Sequence, residues 1–215
     1  MKYDRRAVLA VALWFSLLSV FLVGRCPSAA AQGDPVAGAK GAVGRLLRVK
    51  SMADMAPCLT NESAAMFGTM LTLPVAMATG MADVGPANDP ATRRAKAAKK
   101  DLDALMKRYG VPGGGPGGAQ MGPGSKEWKR FARQGRRFLV DVDALLTRLD
   151  RSGAMKGGAG QFRRDPKAPT SPDALRYRML GPTRVAIRDP RDPKAQPMEA
   201  RYEDGLWRIH LMPDR

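Results

Sequence analysis

The chain has 215 residues, 44% of them hydrophobic and only 6% aromatic, and its Lys and Arg exceed its Asp and Glu by 16. That length suits one domain with tails, and 23 glycines with 17 prolines place much of it in loops or linkers. One histidine and two cysteines exclude most soft-ligand zinc sites and a disulfide-stapled scaffold, while the apolar content excludes a wholly disordered chain and the charge excludes a polytopic membrane protein.

The N-terminus reads as an export signal. Lys2, Arg5 and Arg6 precede an apolar run over residues 7–23, and small residues follow up to Ala31. Cleavage after Ala31 satisfies the small-x-small rule through Ala29 and Ala31. The run is short for a bilayer core, so a cleaved signal is expected over an uncleaved anchor. Arg5-Arg6-Ala7-Val8-Leu9 resembles the core of a twin-arginine signal, although paired arginines also occur in ordinary n-regions. Cys26 sits where a lipoprotein acceptor would, but Arg25 precedes it where a small residue is required. The expected location is periplasmic or extracellular, with membrane contact only through an uncleaved signal. Past residue 31 one cysteine is left, Cys58, in the apolar setting Met55-Ala56-Pro57-Cys58-Leu59; a buried small hydrophobe is expected there.

Residues 32–109 read as helices. Asp34-Pro35 is an N-cap followed by proline at the first helical position, and Val36, Ala39, Val43, Leu46 and Leu47 keep helical spacing. Thr60 caps a second helix that is apolar nearly all round, as burial between other elements would require; Pro74 should kink or stop it. Asp89-Pro90 repeats the capping signature, ahead of a stripe of Ala95, Ala98, Leu102, Leu105, Met106 and Tyr109. Residues 110–125 are a Gly/Pro-rich linker. Ser125 then caps one long amphipathic helix over residues 126–152, with Trp128, Phe131, Phe138, Leu139, Val142, Leu145, Leu146 and Leu149 on one face. Residues 153–172 are a second linker. Residues 173–215 change to a period of two, with strands over 175–180, 183–188, 198–203 and 206–211, the last pair flanking the hairpin signal Asp204-Gly205. Helices first and an antiparallel meander last make an α+β fold: N-terminal helices packed on a sheet of about four strands.

Two segments carry a family resemblance. Lys50-Ser51-Met52-Ala53-Asp54-Met55-Ala56-Pro57-Cys58-Leu59-Thr60 resembles the step, acidic residue and capped helix of nuclear-transport-factor-2-like proteins. Tyr202-Glu203-Asp204-Gly205-Leu206-Trp207-Arg208-Ile209 resembles the terminal hairpin of their exported bacterial members of unknown function. The resemblance covers the two ends of the chain past the signal, not the middle helices. It implies a cone-like roll closing over a pocket, where the family's enzymes place Asp, His or Tyr.

Few residues offer chemistry. His210 lies opposite the Trp207, Ile209 and Leu211 face, so with that face packed it should point to solvent or a shallow groove. Asp54 is a pocket acid by the family analogy and a turn or cap residue otherwise. Asp141 and Asp143, two apart on a helix, diverge too far to form a catalytic pair, as do Asp101 and Asp103. No phosphate loop, dinucleotide fingerprint, hydrolase triad or metal spacing is present, so no metal or cofactor is expected.

Charge is the sharper signal. Residues 91–137 hold thirteen bases against three acids, whereas residues 32–90 hold four against five. Lys126, Lys129, Arg130, Arg133, Arg136 and Arg137 follow helical spacing and form one basic stripe that can attract an anionic envelope polymer; a solvated face is the plain alternative. Export and scarce stacking aromatics argue against nucleic acid. The sequence therefore points to a non-catalytic binding or structural domain with an unknown small ligand. The alternatives are a polyanion-binding adaptor and a pocket isomerase or dehydratase using His210 or Asp54.

Overall fold

Five of the six helices among the described residues begin where a short polar side chain accepts one of the first free backbone N–H groups; the helix that starts at Gly135 has no such cap. A computed structural model describes residues 33–80, 86, 88–111, 125–153, 169–194 and 196–211. The export segment and most of both linkers lie outside the described residues. Asp34 accepts from Val36 N at 2.9 Å and opens α1 (Pro35–Leu46). Ser51 opens the short α2 (Met52–Met55), which runs into a 3-10 turn at Ala56–Cys58. Thr60 Oγ1 accepts from Ser63 N at the head of α3 (Asn61–Gly80). Asp89 accepts from Thr92 N to open α4 (Pro90–Tyr109), which Gly110 ends in the left-handed conformation at φ 58°.

The predicted helix over residues 126–152 is two helices. Ser125 opens α5 (Lys126–Ala132), the chain turns at Arg133 and Gln134, and α6 (Gly135–Arg151) follows. The hydrophobic period runs across the turn, which hides the break in the sequence. The cause is close approach: a Cβ on Gly135 would lie 2.0 Å from the Asn61 carbonyl oxygen and 2.7 Å from Ala65 N. The α5–α6 corner can therefore seat its backbone directly on the first turn of α3.

Helix α3 resolves one alternative and departs from another expectation. Pro74 does not stop it; the helix continues to Gly80. Pro74 and Met70 are both exposed, so the Met70 carbonyl that loses its donor lies on the solvent side. Nor is α3 buried all round. Small residues, Ala64, Ala65, Gly68 and Thr72, form its buried seam against α4, α5 and α6, while Met70, Leu73 and Met77 are 60%, 53% and 67% exposed.

The C-terminal strands follow the meander β1 (Arg176–Gly181), β2 (Arg184–Arg188), β3 (Met198–Glu203) and β4 (Leu206–His210), in spatial order and all antiparallel. Asp204 at φ 52° and Gly205 at φ 81° make the tight β3–β4 turn. The fold is thus α+β, with six helices among the described residues followed by a four-stranded sheet. One face of the sheet (Val185, Ile187, Ala200, Trp207, Ile209) packs on α1 with Leu59 and Leu139. A second cluster joins α3 to α4, α5 and α6. In it Trp128, Phe131, Phe138 and Tyr109 form a chain of edge-to-face rings with centroids 5.0–5.5 Å apart, each pair worth about 1 kcal/mol beyond its burial.

The corner yields a test. Gly135→Ala should destabilise the protein by about 2 kcal/mol or more, because the obstructing atoms are backbone and cannot rotate away. Val140→Ala, at an exposed position of the same helix, should change the urea midpoint little.

Candidate functional site

The head of α3, the β3–β4 hairpin and the α5–α6 corner meet around three adjoining grooves. The first, of about 390 Å³, is bordered by Thr60, Glu62, Lys129, Arg133, Glu203 and His210, with Arg201 behind them. The second, of about 430 Å³, runs past Arg133, Arg136, Arg137 and Asp204. The third, of about 410 Å³, lies between the Pro57 turn and α6 and is reached by Arg136, Arg137 and Arg208.

His210 does not point to solvent. Both faces of β4 are covered, because the head of α3 lies over the side opposite Trp207, and His210 is only 2% exposed. Its Nδ1 sits 2.9 Å from Thr60 Oγ1 and 3.4 Å from Ser63 Oγ, and Ser63 Oγ also accepts from Leu211 N at 2.8 Å. Asp54 is exposed on α2 and borders none of these three grooves. Its carbonyl accepts the Cys58 S–H at 3.7 Å, and Cys58 is buried, with its thiol pushed up chiefly by that burial. The divergence of Asp141 and Asp143 is clear. Asp141 accepts from Tyr109 Oη at 2.7 Å and from Arg108, whereas Asp143 faces the Ala53 N–H, its carboxyl raised by burial and by the charge of Asp54. Among the described residues no group of three or more His, Cys, Asp or Glu is placed to hold a metal.

The six stripe cations do not share one environment. Lys129, Arg133, Arg136 and Arg137 line the grooves; Lys126 and Arg130 do not. Arg136 is drawn into the fold by Glu203 at 3.3 Å and Asp204 at 2.5 Å. The other five are exposed and make no ion pair among the described residues.

A second set of cations escaped the sequence reading. The register aligns Arg184, Arg201 and Arg208 across β2, β3 and β4, and pairs Arg176 with Arg188 across β1 and β2. With Arg178 these side chains occupy the sheet face opposite α1. Like charges directly opposite each other cost stability in a sheet. Glu199 offsets part of that cost by binding Arg184 (2.5 and 3.0 Å) and Arg201 (3.0 and 3.3 Å). Arg176, Arg178 and Arg188 are exposed and make no ion pair among the described residues. Arg201 belongs to this face and borders the first groove, so it links the sheet cations to Lys129 and Arg133. Alternation in the strands was the available signal; the register that aligns them was not.

No family model matches the chain, and neither a curated protein nor a solved structure matches it.

Glu199 gives a pH prediction. Burial pushes its carboxyl up, but the bonds from Arg184 and Arg201 outweigh burial and leave it below the ordinary value. A carboxyl depressed in the fold stabilises above its unfolded pKa, about 4.3, and loses that contribution as pH falls through the folded value. Glu199→Gln should therefore lower the thermal midpoint at pH 7 and show a shallower loss between pH 5 and 3 than the native chain. Parallel melting curves would count against this pairing.

Proposed function

We propose that the chain is an exported, non-catalytic binding domain, related to the nuclear-transport-factor-2-like proteins, that holds an anionic polymer of the cell envelope. The reading is carried by one observation: exposed cations without ion-pair partners among the described residues stand both at the first groove and on the sheet face that Arg201 joins to it. Lys129 and Arg133 stand on the helix corner, and Arg176, Arg178 and Arg188 stand on the sheet face. Adjacent strands lie about 4.8 Å apart, so this face crosses roughly 14 Å from β1 to β4. That span suits several repeats of a charged polymer better than one small ion. The N-terminal signal supports export, and the hairpin with its helix step supports the family. A pocket isomerase or dehydratase would need His210 or Asp54 for chemistry. His210 already serves the fold at Thr60 and Ser63, and Asp54 borders none of the three grooves, which favours binding.

The test is binding of the chain, beginning at Gln32, to fluorescent dextran sulfate over a salt series, with neutral dextran as control. Two variants separate the flanks: Lys129→Gln with Arg133→Gln, and Arg176→Gln with Arg178→Gln and Arg188→Gln. Polymer binding by counterion release to a single-chain polyanion loses roughly 0.7 units of log–log salt slope per charge removed. The second variant should therefore reduce the slope by about 2 and the first by about 1.5. Equal, weak and salt-insensitive binding by all three proteins would overturn the reading.

A further inference from the structure

The third groove holds a charge that the fold does not neutralise. Arg208 projects from β4 beneath the Pro57 turn and is 7% exposed. Its Nη1 donates to the Pro57 carbonyl, and its Nε is buried without a hydrogen-bond partner. No carboxylate among the described residues lies within ion-pair distance of it. Glu203 and Asp204, the acids nearest in charge effect, are bonded to Arg136 instead. Burial, then the neighbouring Arg136, makes the guanidinium harder to charge than usual, yet an arginine stays protonated in proteins. A buried, unpaired charge costs several kcal/mol.

The surroundings define what would relieve that cost. Arg137 and Arg136 border the same space as Arg208. Among the described residues Asp141 is the single acid on its rim, and it is occupied by Tyr109 Oη and by Arg108. The remaining wall is apolar, made by Ala56, Pro57 and Val140. Val140 is 40% exposed on the outer face of α6, where a polar residue would ordinarily stand.

We propose that this groove binds an amphiphilic anion: an oxyanion head held by Arg208 and Arg137, with an apolar stem lying against Ala56, Pro57 and Val140. The head completes the hydrogen bonding of a planar guanidinium fork, which suits carboxylate and phosphate geometry. The stem covers the exposed apolar wall. The site does not depend on the polymer-binding surface, since Lys129, Arg133 and the β1–β2 arginines do not border it.

The experiment is calorimetric titration with octyl phosphate below its micelle concentration, beside butyl phosphate, inorganic phosphate and octyl glucoside. Octyl phosphate should bind at least tenfold tighter than inorganic phosphate or octyl glucoside, and affinity should rise about fourfold per buried methylene from butyl to octyl. Arg208→Met removes the charge while keeping an unbranched stem. It should fold with an unchanged or higher thermal midpoint, lose octyl phosphate binding at least tenfold and still bind dextran sulfate. Val140→Asp, on the exposed rim, should weaken octyl phosphate at least tenfold without altering the fold. Vesicles containing anionic lipid distinguish the source of the head group: binding to free octyl phosphate but not to vesicles marks a soluble amphiphile, and binding to both marks a membrane lipid. Equal affinity for octyl phosphate and octyl glucoside, or native affinity in Arg208→Met, would overturn the proposal. Loss of dextran sulfate binding with octyl phosphate binding intact would overturn the polymer reading alone.

Discussion

The first turn of α3 is the joint on which the molecule depends. On one side it is sewn to β4. Leu59 bridges Ile209 in parallel, Thr60 N donates to the Ile209 carbonyl at 2.9 Å, and the Thr60 and Ser63 hydroxyls meet His210 and Leu211. On the other side the Asn61 carbonyl and Ala65 receive the bare backbone of Gly135. Asn61 is also bonded to Glu203 through its backbone N and its side-chain amide. Buried polar groups are tolerated only when their hydrogen bonds are made, and this network makes them between segments nearly 150 residues apart. It therefore fixes how the sheet sits against the helices. The grooves open beside it because three elements converge there without filling the space between them.

The legible part of this fold was local. Caps at Asp34, Asp89 and Ser125, the buried stripe of α4 and the Asp204-Gly205 turn each rest on a few neighbouring residues, and each is present as expected. The departures share one cause, which is tertiary contact. A hydrophobic period says nothing of a backbone-to-backbone approach, so the break before Gly135 was hidden. An apolar helix reads as buried, but α3 buries its small residues and exposes Met70, Leu73 and Met77, because close helix packing selects for size as well as polarity. His210 was assigned to the outer face by strand alternation. That assignment was correct about which side it takes and wrong about solvent, since α3 covers that side.

The charge excess followed the same pattern. Counting placed it on residues 91–137, and Lys129, Arg133 and Arg137 do border the grooves. Counting could not find the sheet arginines, because they are spread along 33 residues of sequence and become neighbours only through the register of four strands. An aligned row of arginines is an unfavourable thing to fold. Its partial neutralisation by Glu199 reaches Arg184 and Arg201 on the two central strands, β2 and β3, and leaves the arginines of β1 without an ion pair among the described residues. At an edge strand such charges also discourage pairing with another chain, so the same side chains guard the sheet edge and present a cationic surface.

Arg208 differs from the rest of its row. In the row Arg184, Arg201, Arg208, the first two share Glu199, and the hairpin acids Glu203 and Asp204 are claimed by Arg136 from α6. Pairing Arg208 instead would free Arg136, which is the contact that ties α6 to the β3–β4 hairpin. Among the described residues this side thus has one carboxylate too few, and the deficit falls on the most buried guanidinium of the row. A methionine or leucine at position 208 could fill the volume without desolvating a charge. Packing and stability alone therefore do not account for an arginine there, whereas an anion arriving from outside, at a groove already walled by Val140 and Pro57, would.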